Sequence, residues 1–278
     1  KFKDKVAIDL GRVIEIKEGE RVGIIGSNGA GKTTLLKSIL GIIPHEGHIN
    51  LGIPSDKIAV HMQQNEYIET VPVRIILEMV MGCKIKDNEK LNEMIDFFEF
   101  RECLKKRWKH LSGGQKQRLT LILVMCQDSP ITMFDEVTSG LDFETRQRLM
   151  EKLTEWYRDR NGTLLITSHY YEELENLATK ILYLNKGHVI DYGTKEELFE
   201  KYCGRSVVIF EDSEKGQKIG ADYQTIVASP GHIGVSCKDA KEEHGVISRL
   251  IDADINYRRS NNDIEVMTLN AKANYMRG

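Results

Sequence analysis

The sequence predicts an α/β fold with a mainly parallel sheet at its core, a helical insertion and a small C-terminal α/β region. Two observations support this class. Short apolar runs alternate with segments of helical periodicity, which is the pattern of strands and crossover helices in a parallel sheet. Polar and glycine-rich motifs directly follow several of these runs, at the positions where parallel strands present active groups at their carboxyl ends.

The composition limits the class of partner. The 278 residues are 41% hydrophobic and 29% charged, which is enough chain for one large domain and one small domain. The net charge of −3 gives no electrostatic reason to expect a nucleic acid partner. No apolar run approaches the length of a bilayer span, so we expect no direct insertion into a membrane. The five cysteines are widely spaced, which favours reduced cytoplasmic thiols.

The opening of the chain predicts a β-hairpin that would form an N-terminal antiparallel subdomain. Apolar and charged residues alternate over 13–16, a turn follows at 18–20, and the apolar strand 21–25 comes next. Upstream lies Phe2, whose ring either stacks on a purine base or packs as an ordinary core or edge side chain. The residues alone leave these two roles open.

The segment 26–34 follows that strand, matches the phosphate-binding pattern G-x-x-x-x-G-K-[ST] and leads into a helical segment at 33–40. Its glycines let backbone N–H groups turn towards phosphate, and the start of the helix adds positive partial charge. Lys32 can then reach the outer phosphates, and Thr33 offers a hydroxyl to Mg²⁺. The segment predicts a P-loop NTPase core, with nucleotide contacts from Ser27, Asn28, Gly29, Ala30, Gly31, Lys32, Thr33 and Thr34.

Further motifs follow in the same order of strand and helix. A strand over 57–62 ends at Gln63, and helical periodicity from 73 to 108 predicts a helical insertion at about 64–110. Asp135 and Glu136 end the predicted apolar strand 131–136, and His169 comes shortly after the predicted strand 163–167. The remaining elements are the motif Leu111-Ser112-Gly113-Gly114-Gln115, helices over 116–127, 143–158 and 171–178, strands over 131–136 and 163–167, and a hairpin over 180–192.

The pattern changes around residues 202–205. We therefore expect a nucleotide-binding domain over 1–203 and an accessory α/β region over 204–278. Strands are predicted there over 206–210, 224–228 and 232–237, and a helix over 241–251. The tail contains no phosphate, metal or acid–base motif, so we expect a regulatory or dimer-stabilising module.

Taken together, the glycine loop, residues 111–115 and the Asp135-Glu136 pair closely resemble the ATPase subunits of ATP-binding cassette (ABC) transporters, over roughly residues 2–200. A glycine loop alone occurs in kinases, GTPases and many other proteins, whereas the Leu-Ser-Gly-Gly-Gln signature just before the carboxylate strand removes nearly all of them. The resemblance implies that Gln63 is the Q-loop glutamine, that 139–142 is the D-loop and that His169 is the switch histidine. Phe2 fits the aromatic residue that stacks on adenine.

The resemblance also implies the roles of the site residues. Glu136, at a strand end beside Asp135, is suited to accept a proton from the attacking water, with His169 and Gln63 as the other catalytic groups. The Mg²⁺ ligands would be Thr33, Gln63 and Asp135. The ATP bound by the opposing subunit would contact Ser112, Gly113, Gly114, Gln115 and Asp142, because a capped helix start also binds anions.

The sequence departs from the family pattern at three positions. Val137 stands where proline usually follows the catalytic glutamate, and Met62 where proline often precedes the Q-loop glutamine. Thr132 interrupts the apolar strand before Asp135. None of these changes removes a catalytic group.

The implied function is an ATP-hydrolysing subunit at the cytoplasmic face of the cell membrane. It would pair with a second nucleotide-binding subunit, as a homodimer or a paralogous heterodimer, around two ATP molecules with Mg²⁺, and drive a separate transmembrane permease subunit. A loose resemblance of the tail to those of drug, antibiotic and peptide exporters favours export over import, which is the nearest competing function.

Two further functions compete with transport. A soluble ABC ATPase that acts on DNA or ribosomes usually carries two cassettes or a long coiled-coil insertion, and the sequence contains neither. A regulatory subunit would bind ATP without hydrolysing it, and the intact Glu136, Ser112 and His169 argue against that function.

Overall fold

The computed structural model describes residues 6–62, 67–158 and 160–277. Phe2 and Gln63, two of the predicted site residues, lie outside these ranges. The first part of the chain contains a six-stranded sheet and helices around it. Its strands are β1 (Arg21–Ile25), β2 (Ala59–His61), β3 (Ile131–Asp135), β4 (Thr163–Thr167), β5 (Lys180–Asn185) and β6 (His188–Thr194). Its helices are α1 (Lys32–Ile39), α2 (Val73–Met81), α3 (Glu89–Phe97), α4 (Gly113–Cys126), α5 (Phe143–Arg158), α6 (Tyr171–Leu177) and α7 (Lys195–Cys203).

The strand order in this sheet is β2-β3-β4-β1-β5-β6. Neighbouring strands from β2 to β5 pair in parallel, and β6 closes the sheet by antiparallel pairing with β5. The central strands are almost entirely buried, as expected for parallel strands covered on both faces. The predicted α/β class, with a parallel core and its closing hairpin over 180–192, is therefore confirmed.

The hairpin expected at the start of the chain is wrong. Residues 13–16 form no strand, and the one bridge recorded in the described segment 6–20 joins Asp9 to His188. The reason is the position of β1, which pairs with β4 on one side and β5 on the other and so has no free edge for an antiparallel partner. Ile14 and Ile16 instead pack their side chains against the core beneath β1.

The helical insertion is observed. α2 and α3 pack against α4, which begins at the signature motif. From Leu119 to Cys126 every residue of α4 is buried, which is typical of a helix surrounded by core on all sides. α4 therefore joins the insertion to the sheet, where it also packs on β2.

The C-terminal part forms a second sheet with the strand order β10-β7-β9-β8, entirely antiparallel. Two of its helices, α8 and α9, pack on this sheet around their own core, and the last helix, α10, returns to pack on α6, α7 and β6. Three of the elements, α8, β10 and α10, are absent from the predictions. The elements are β7 (Ser206–Glu211), α8 (Glu214–Gly220), β8 (Thr225–Ile226), β9 (His232–Cys237), α9 (Ala240–Asp252), β10 (Tyr257–Ser260) and α10 (Ile264–Arg277).

Candidate functional site

The glycine loop between β1 and α1 has three glycines with positive φ, and two of them have no room for a side chain. Gly26, Gly29 and Gly31 adopt φ values of 152°, 77° and 105°. A Cβ on Gly26 would lie 2.3 Å from Leu184 O, and one on Gly31 would lie 2.7 Å from Ile8 Cγ1. The loop therefore owes its path to close packing as well as to left-handed backbone conformations.

The turn of the β5–β6 hairpin supports the glycine loop from below. Gly187 N donates to Ala30 O at 3.0 Å, while Ala30 N donates to Ser27 O at 2.9 Å inside the loop. Ala30 is buried, whereas Ser27, Asn28 and the following glycine are exposed. The loop is thus anchored at its base and open to solvent at its tip.

Lys32 is the buried cation of the loop. Its side chain is 5% exposed, and Nζ donates to Gly26 O at 2.8 Å. Burial lowers the pKa of Lys32, and the negative charges of Glu136 and Asp135 oppose that shift. The arrangement holds the ammonium group across the mouth of the loop, facing the carboxylates at the end of β3.

Asp135 is fully buried and binds hydroxyl groups with both oxygens. Thr33 Oγ1 donates to Oδ2 and Thr167 Oγ1 donates to Oδ1, each at 2.8 Å. Thr33 lies in the first turn of α1, so the carboxylate lies beside the carboxyl-terminal end of the loop. Thr167 was not among the predicted site residues, and the available signal was a hydroxyl residue at the end of the strand that pairs with β3.

Glu136 and His169 meet at the ends of β3 and β4. Glu136 Oε1 lies 2.6 Å from His169 Nε2 and 3.9 Å from Lys32 Nζ. Glu136 adopts a left-handed φ of 51°, which is uncommon for a non-glycine residue. Its N–H donates to both oxygens of Thr167, the carbonyl at 3.2 Å and the hydroxyl at 3.0 Å, and these bonds fix the turn.

The signature residues form the start of α4. Ser112 and Gln115 make a reciprocal capping box: Gln115 N donates to Ser112 Oγ at 3.3 Å, and Ser112 N donates to Gln115 Oε1 at 3.1 Å. Ser112 and Gly113 are exposed, whereas Gly114 faces the start of α5. Asp142 caps that neighbouring helix, and hydrogen bonds from Thr145 lower its pKa.

Within the described residues, the structure brings together one group of predicted site residues and leaves another outside it. The glycine loop, Asp135, Glu136 and His169 converge at the carboxyl ends of the parallel strands. The signature residues and Asp142 instead adjoin one another where α4 meets α5.

The C-terminal helix α10 reaches the edge of the site formed by the glycine loop and the carboxyl ends of β3 and β4. Thr268, Leu269 and Lys272 of α10 line a cavity of about 200 Å³ together with Ser27 and His169. The other side chains around it come from the ends of β4 and β5 and from the start of α6. The tail therefore contributes a wall to this part of the molecule.

These features define the class of protein: a glycine loop with a buried lysine, beside carboxylates at the end of a parallel strand, forms a P-loop nucleotide-binding core. The sequence model of the ABC transporter family matches residues 13–139. Nod factor export ATP-binding protein I of Burkholderia orbicola is 32% identical over 224 residues, covering 75% of this chain and 72% of that protein. The chain belongs to the ABC transporter family as an ATP-binding subunit, and ATP hydrolysis is the activity of these cassettes.

Other relatives and solved structures agree with this membership. The spermidine/putrescine import ATP-binding protein PotA of Thermotoga maritima is 28% identical over 260 residues, covering 87% of this chain and 70% of that protein. The dimeric structure of the bacterial ABC transporter cassette MJ0796 superposes with a TM-score of 0.59 at 24% identity, covering 65% of this chain and 88% of that one. Exporter and importer subunits thus both occur among the relatives, and the solved structure supports the cassette fold.

None of the helices in the described ranges is both long and apolar enough to cross a bilayer. All five cysteines lie in those ranges as free thiols, as the sequence predicted.

Proposed function

We infer that this chain hydrolyses ATP at the junction of the glycine loop with β3 and β4, in a dimer that powers export through a separate membrane subunit. The observation that carries this inference is the 2.6 Å contact of Glu136 Oε1 with His169 Nε2, beside the buried ammonium of Lys32. Opposite charges gathered at the mouth of a phosphate-binding loop are suited to hold a phosphoryl group and an attacking water.

Each side chain in this group has a role that follows from its position. Lys32 would bind the β- and γ-phosphates, aided by the N–H groups of residues 27–34. Glu136 would accept the proton of the attacking water, and His169, within hydrogen-bond distance of it, would orient that water and the γ-phosphate. Gln63 stays a predicted member of the group from sequence alone.

Thr33 of α1 and Asp135 at the end of β3 fit a Mg²⁺ ion. Thr33 and Asp135 place a hydroxyl and a carboxylate oxygen 2.8 Å apart, and Mg²⁺ prefers such oxygen ligands together with substrate phosphates. In the parts of the chain that the structure describes, no cluster of three or more His, Cys, Asp or Glu side chains could hold a metal by itself. A bound Mg²⁺ would neutralise charge on the transferred phosphoryl group.

The exposed start of α4 supports a head-to-tail dimer. Ser112 and Gly113 face solvent at a helix N-terminus, where backbone N–H groups favour an anion. Two-fold symmetry would place this surface of one chain against the nucleotide on the glycine loop of the other. ATP would then join the two chains, and its hydrolysis would release them.

Glu136→Gln tests this proposal. Glutamine is similar in size but cannot accept the proton, so hydrolysis should fall by about a hundredfold or more while ATP binding persists. The variant should accumulate as an ATP-bound dimer in size-exclusion chromatography with light scattering, and adding Ser112→Arg should abolish that dimer. The experiment includes any paralogous partner subunit. Hydrolysis at the parent rate in Glu136→Gln would exclude Glu136 as the base.

Export rests on the tail and on the Nod factor export relative, whereas the PotA relative supports import. By analogy with the Nod factor relative, an ATP-binding protein for export, the permease would be a separate chain that holds this subunit at the cytoplasmic face. The helical insertion, which α4 ties to the sheet, is the proposed dock. Charge reversals at exposed positions of 73–100 should abolish co-purification with the permease. Cargo accumulation inside inverted vesicles on addition of ATP would support export, and its release would support import.

The tail would regulate the dimer or stabilise it. Its last helix packs on α6 and α7 and lines the cavity beside Ser27 and His169. Truncation after residue 203 should spare ATP binding and change the rate of hydrolysis or the dimer lifetime. A truncated chain that folds yet fails to bind ATP would contradict this role.

A further inference from the structure

The carboxylate of Glu173 is buried next to the proposed site but is not one of the catalytic or nucleotide-binding groups. Glu173 lies in the first turn of α6 and is 6% exposed. Charged side chains are seldom buried unless they are paired and hydrogen-bonded, since burial penalises the charged form. Burial accordingly raises the pKa of Glu173, and hydrogen bonds from Ser168 and Thr138 and the charge of Arg146 oppose that shift.

One oxygen of Glu173 accepts hydrogen bonds from two separate loops. Ser168 Oγ donates to Oε2 at 2.5 Å, and Thr138 Oγ1 donates to the same atom at 3.0 Å. Ser168 directly precedes His169 in the chain, and Thr138 comes two residues after Glu136. This single oxygen therefore connects the segment that carries the histidine with the loop that carries the glutamate.

The other oxygen of Glu173 faces a cation. Oε1 lies 3.7 Å from Arg146 Nε, and among the described residues no group donates a hydrogen bond to it. Arg146 is in the first turn of α5, and its guanidinium carbon lies 3.7 Å from the ring centroid of Tyr170. The ion pair and the stacked ring thus attach the start of α5 to the same segment after β4.

The hydroxyl of Ser168 has two defined partners. It accepts a hydrogen bond from Tyr170 N at 2.9 Å while it donates to Glu173. These two bonds enclose His169 in a turn whose ends are both fixed. The backbone that carries His169 is therefore tied, through Ser168, to the position of the Glu173 carboxylate.

We propose that Glu173 is a positioning residue for ATP hydrolysis, which holds His169 and Glu136 together through Ser168 and Thr138. This role rests on the proposed function of that pair, whose contact is 2.6 Å. Glu136 has a left-handed φ, so its loop depends on outside contacts to keep this conformation. A displacement of about 1 Å at a catalytic group can reduce turnover by about a hundredfold, which gives such a tether a large effect on rate.

Glu173→Gln is the first test, with Glu172→Gln as its matched control on the same turn. Glutamine keeps the shape but has only one acceptor oxygen. If that oxygen accepts from the two hydroxyls, the NH₂ group faces the cation of Arg146, and if the amide is reversed, the NH₂ group faces the two hydroxyls. We expect kcat for ATP to fall about tenfold or more, with KM within about twofold of the parent, because the phosphates are held by the glycine loop. Glu172 is exposed, and its variant should keep the parent kcat.

Double-mutant cycles separate positioning from general stability. In the parent background, Thr138→Val and Ser168→Ala should each lower kcat and should couple to one another, although the two side chains lie in different loops. In the Glu173→Gln background the coupling should vanish, with each change altering kcat by less than about twofold. Equal single-variant effects in both backgrounds would overturn the proposal.

Further controls distinguish a failure of the positioning role of Glu173 from a failure of the proposed catalytic pair, Glu136 and His169. Thermal melts and binding of a fluorescent ATP analogue establish that each full-length variant is folded. If Glu136→Gln is inactive but Glu173→Gln hydrolyses ATP at the parent rate, the positioning role fails alone. If Glu136→Gln is fully active, the proposed site itself fails. Should Glu173→Gln not fold, the two hydroxyl variants in the parent background decide, and the absence of coupling between them counts against the tether.

Discussion

Lys32→Ala should separate nucleotide binding from folding. Lys32 Nζ donates to Gly26 O at 2.8 Å, lies 3.9 Å from Glu136 Oε1, and is 5% exposed. Without ATP, the change removes about one buried hydrogen bond, so the free energy of unfolding should fall by about 1–2 kcal/mol. With ATP, it removes a charge-assisted contact of about 1.5–3 kcal/mol, so Kd should rise by roughly tenfold to a hundredfold, and turnover should be lost.

The assay is a titration with a fluorescent ATP analogue, alongside steady-state hydrolysis and urea unfolding without nucleotide. Lys37→Ala is the matched control, because Lys37 lies in the last turn of the same helix, away from the loop. The control should leave Kd within about twofold of the parent. A Lys32→Ala chain with the parent Kd and the parent hydrolysis rate would refute the assignment of this loop as the phosphate site.

Three further predictions test the packing around the sheet. Gly26→Ala would place Cβ 2.3 Å from Leu184 O, whereas Gly41 also has a positive φ but open space around it. In urea unfolding, Gly26→Ala should therefore lower the free energy of unfolding by about 1–3 kcal/mol more than Gly41→Ala does. Burial lowers the pKa of His61, so as the pH falls the unfolded chain takes up a proton before the folded chain does. The free energy of unfolding should therefore decrease below about pH 6.5, by at most about 1.4 kcal/mol per pH unit. In thermal melts at pH 7.5 and 5.5, His61→Gln should reduce this pH dependence. Burial raises the pKa of Cys203 to about 12, so peptide mapping after iodoacetamide treatment should find this thiol modified only in the unfolded chain.

The strands and helices around the glycine loop could be predicted because their local patterns agree with the fold. The segment Phe143–Arg158 is a helix over the predicted residues, and Thr163–Thr167 is a strand over the predicted residues. Each has the apolar spacing of its element, and each buries that face as the pattern implies. The convergence of Asp135, Glu136 and His169 follows from the shared edge of a parallel sheet.

Other features depend on contacts distant in sequence. Residues 13–16 have a strand-like alternation, but both edges of β1 are already paired, so tertiary structure overrides the pattern. The helix Ile264–Arg277 has a weak apolar face, and its buried Asn270 makes hydrogen bonds to the backbone of Val227, 43 residues earlier in the chain. Glu173 is one of two adjacent glutamates, and nothing local distinguishes the buried one from the exposed one.

The bond from Gly187 N to Ala30 O makes the glycine loop part of a larger cooperative unit. Gly187 also accepts a hydrogen bond from Asp9 N at 2.7 Å, so three distant segments meet at one turn. In native-state hydrogen exchange, the amide of Gly187 should open with the loop and should not fray with the hairpin tip, since its acceptor belongs to the loop. Binding of ATP would then slow hydrogen exchange at the amide of Gly187, which is far from the glycine loop in sequence and donates its hydrogen bond to Ala30 O.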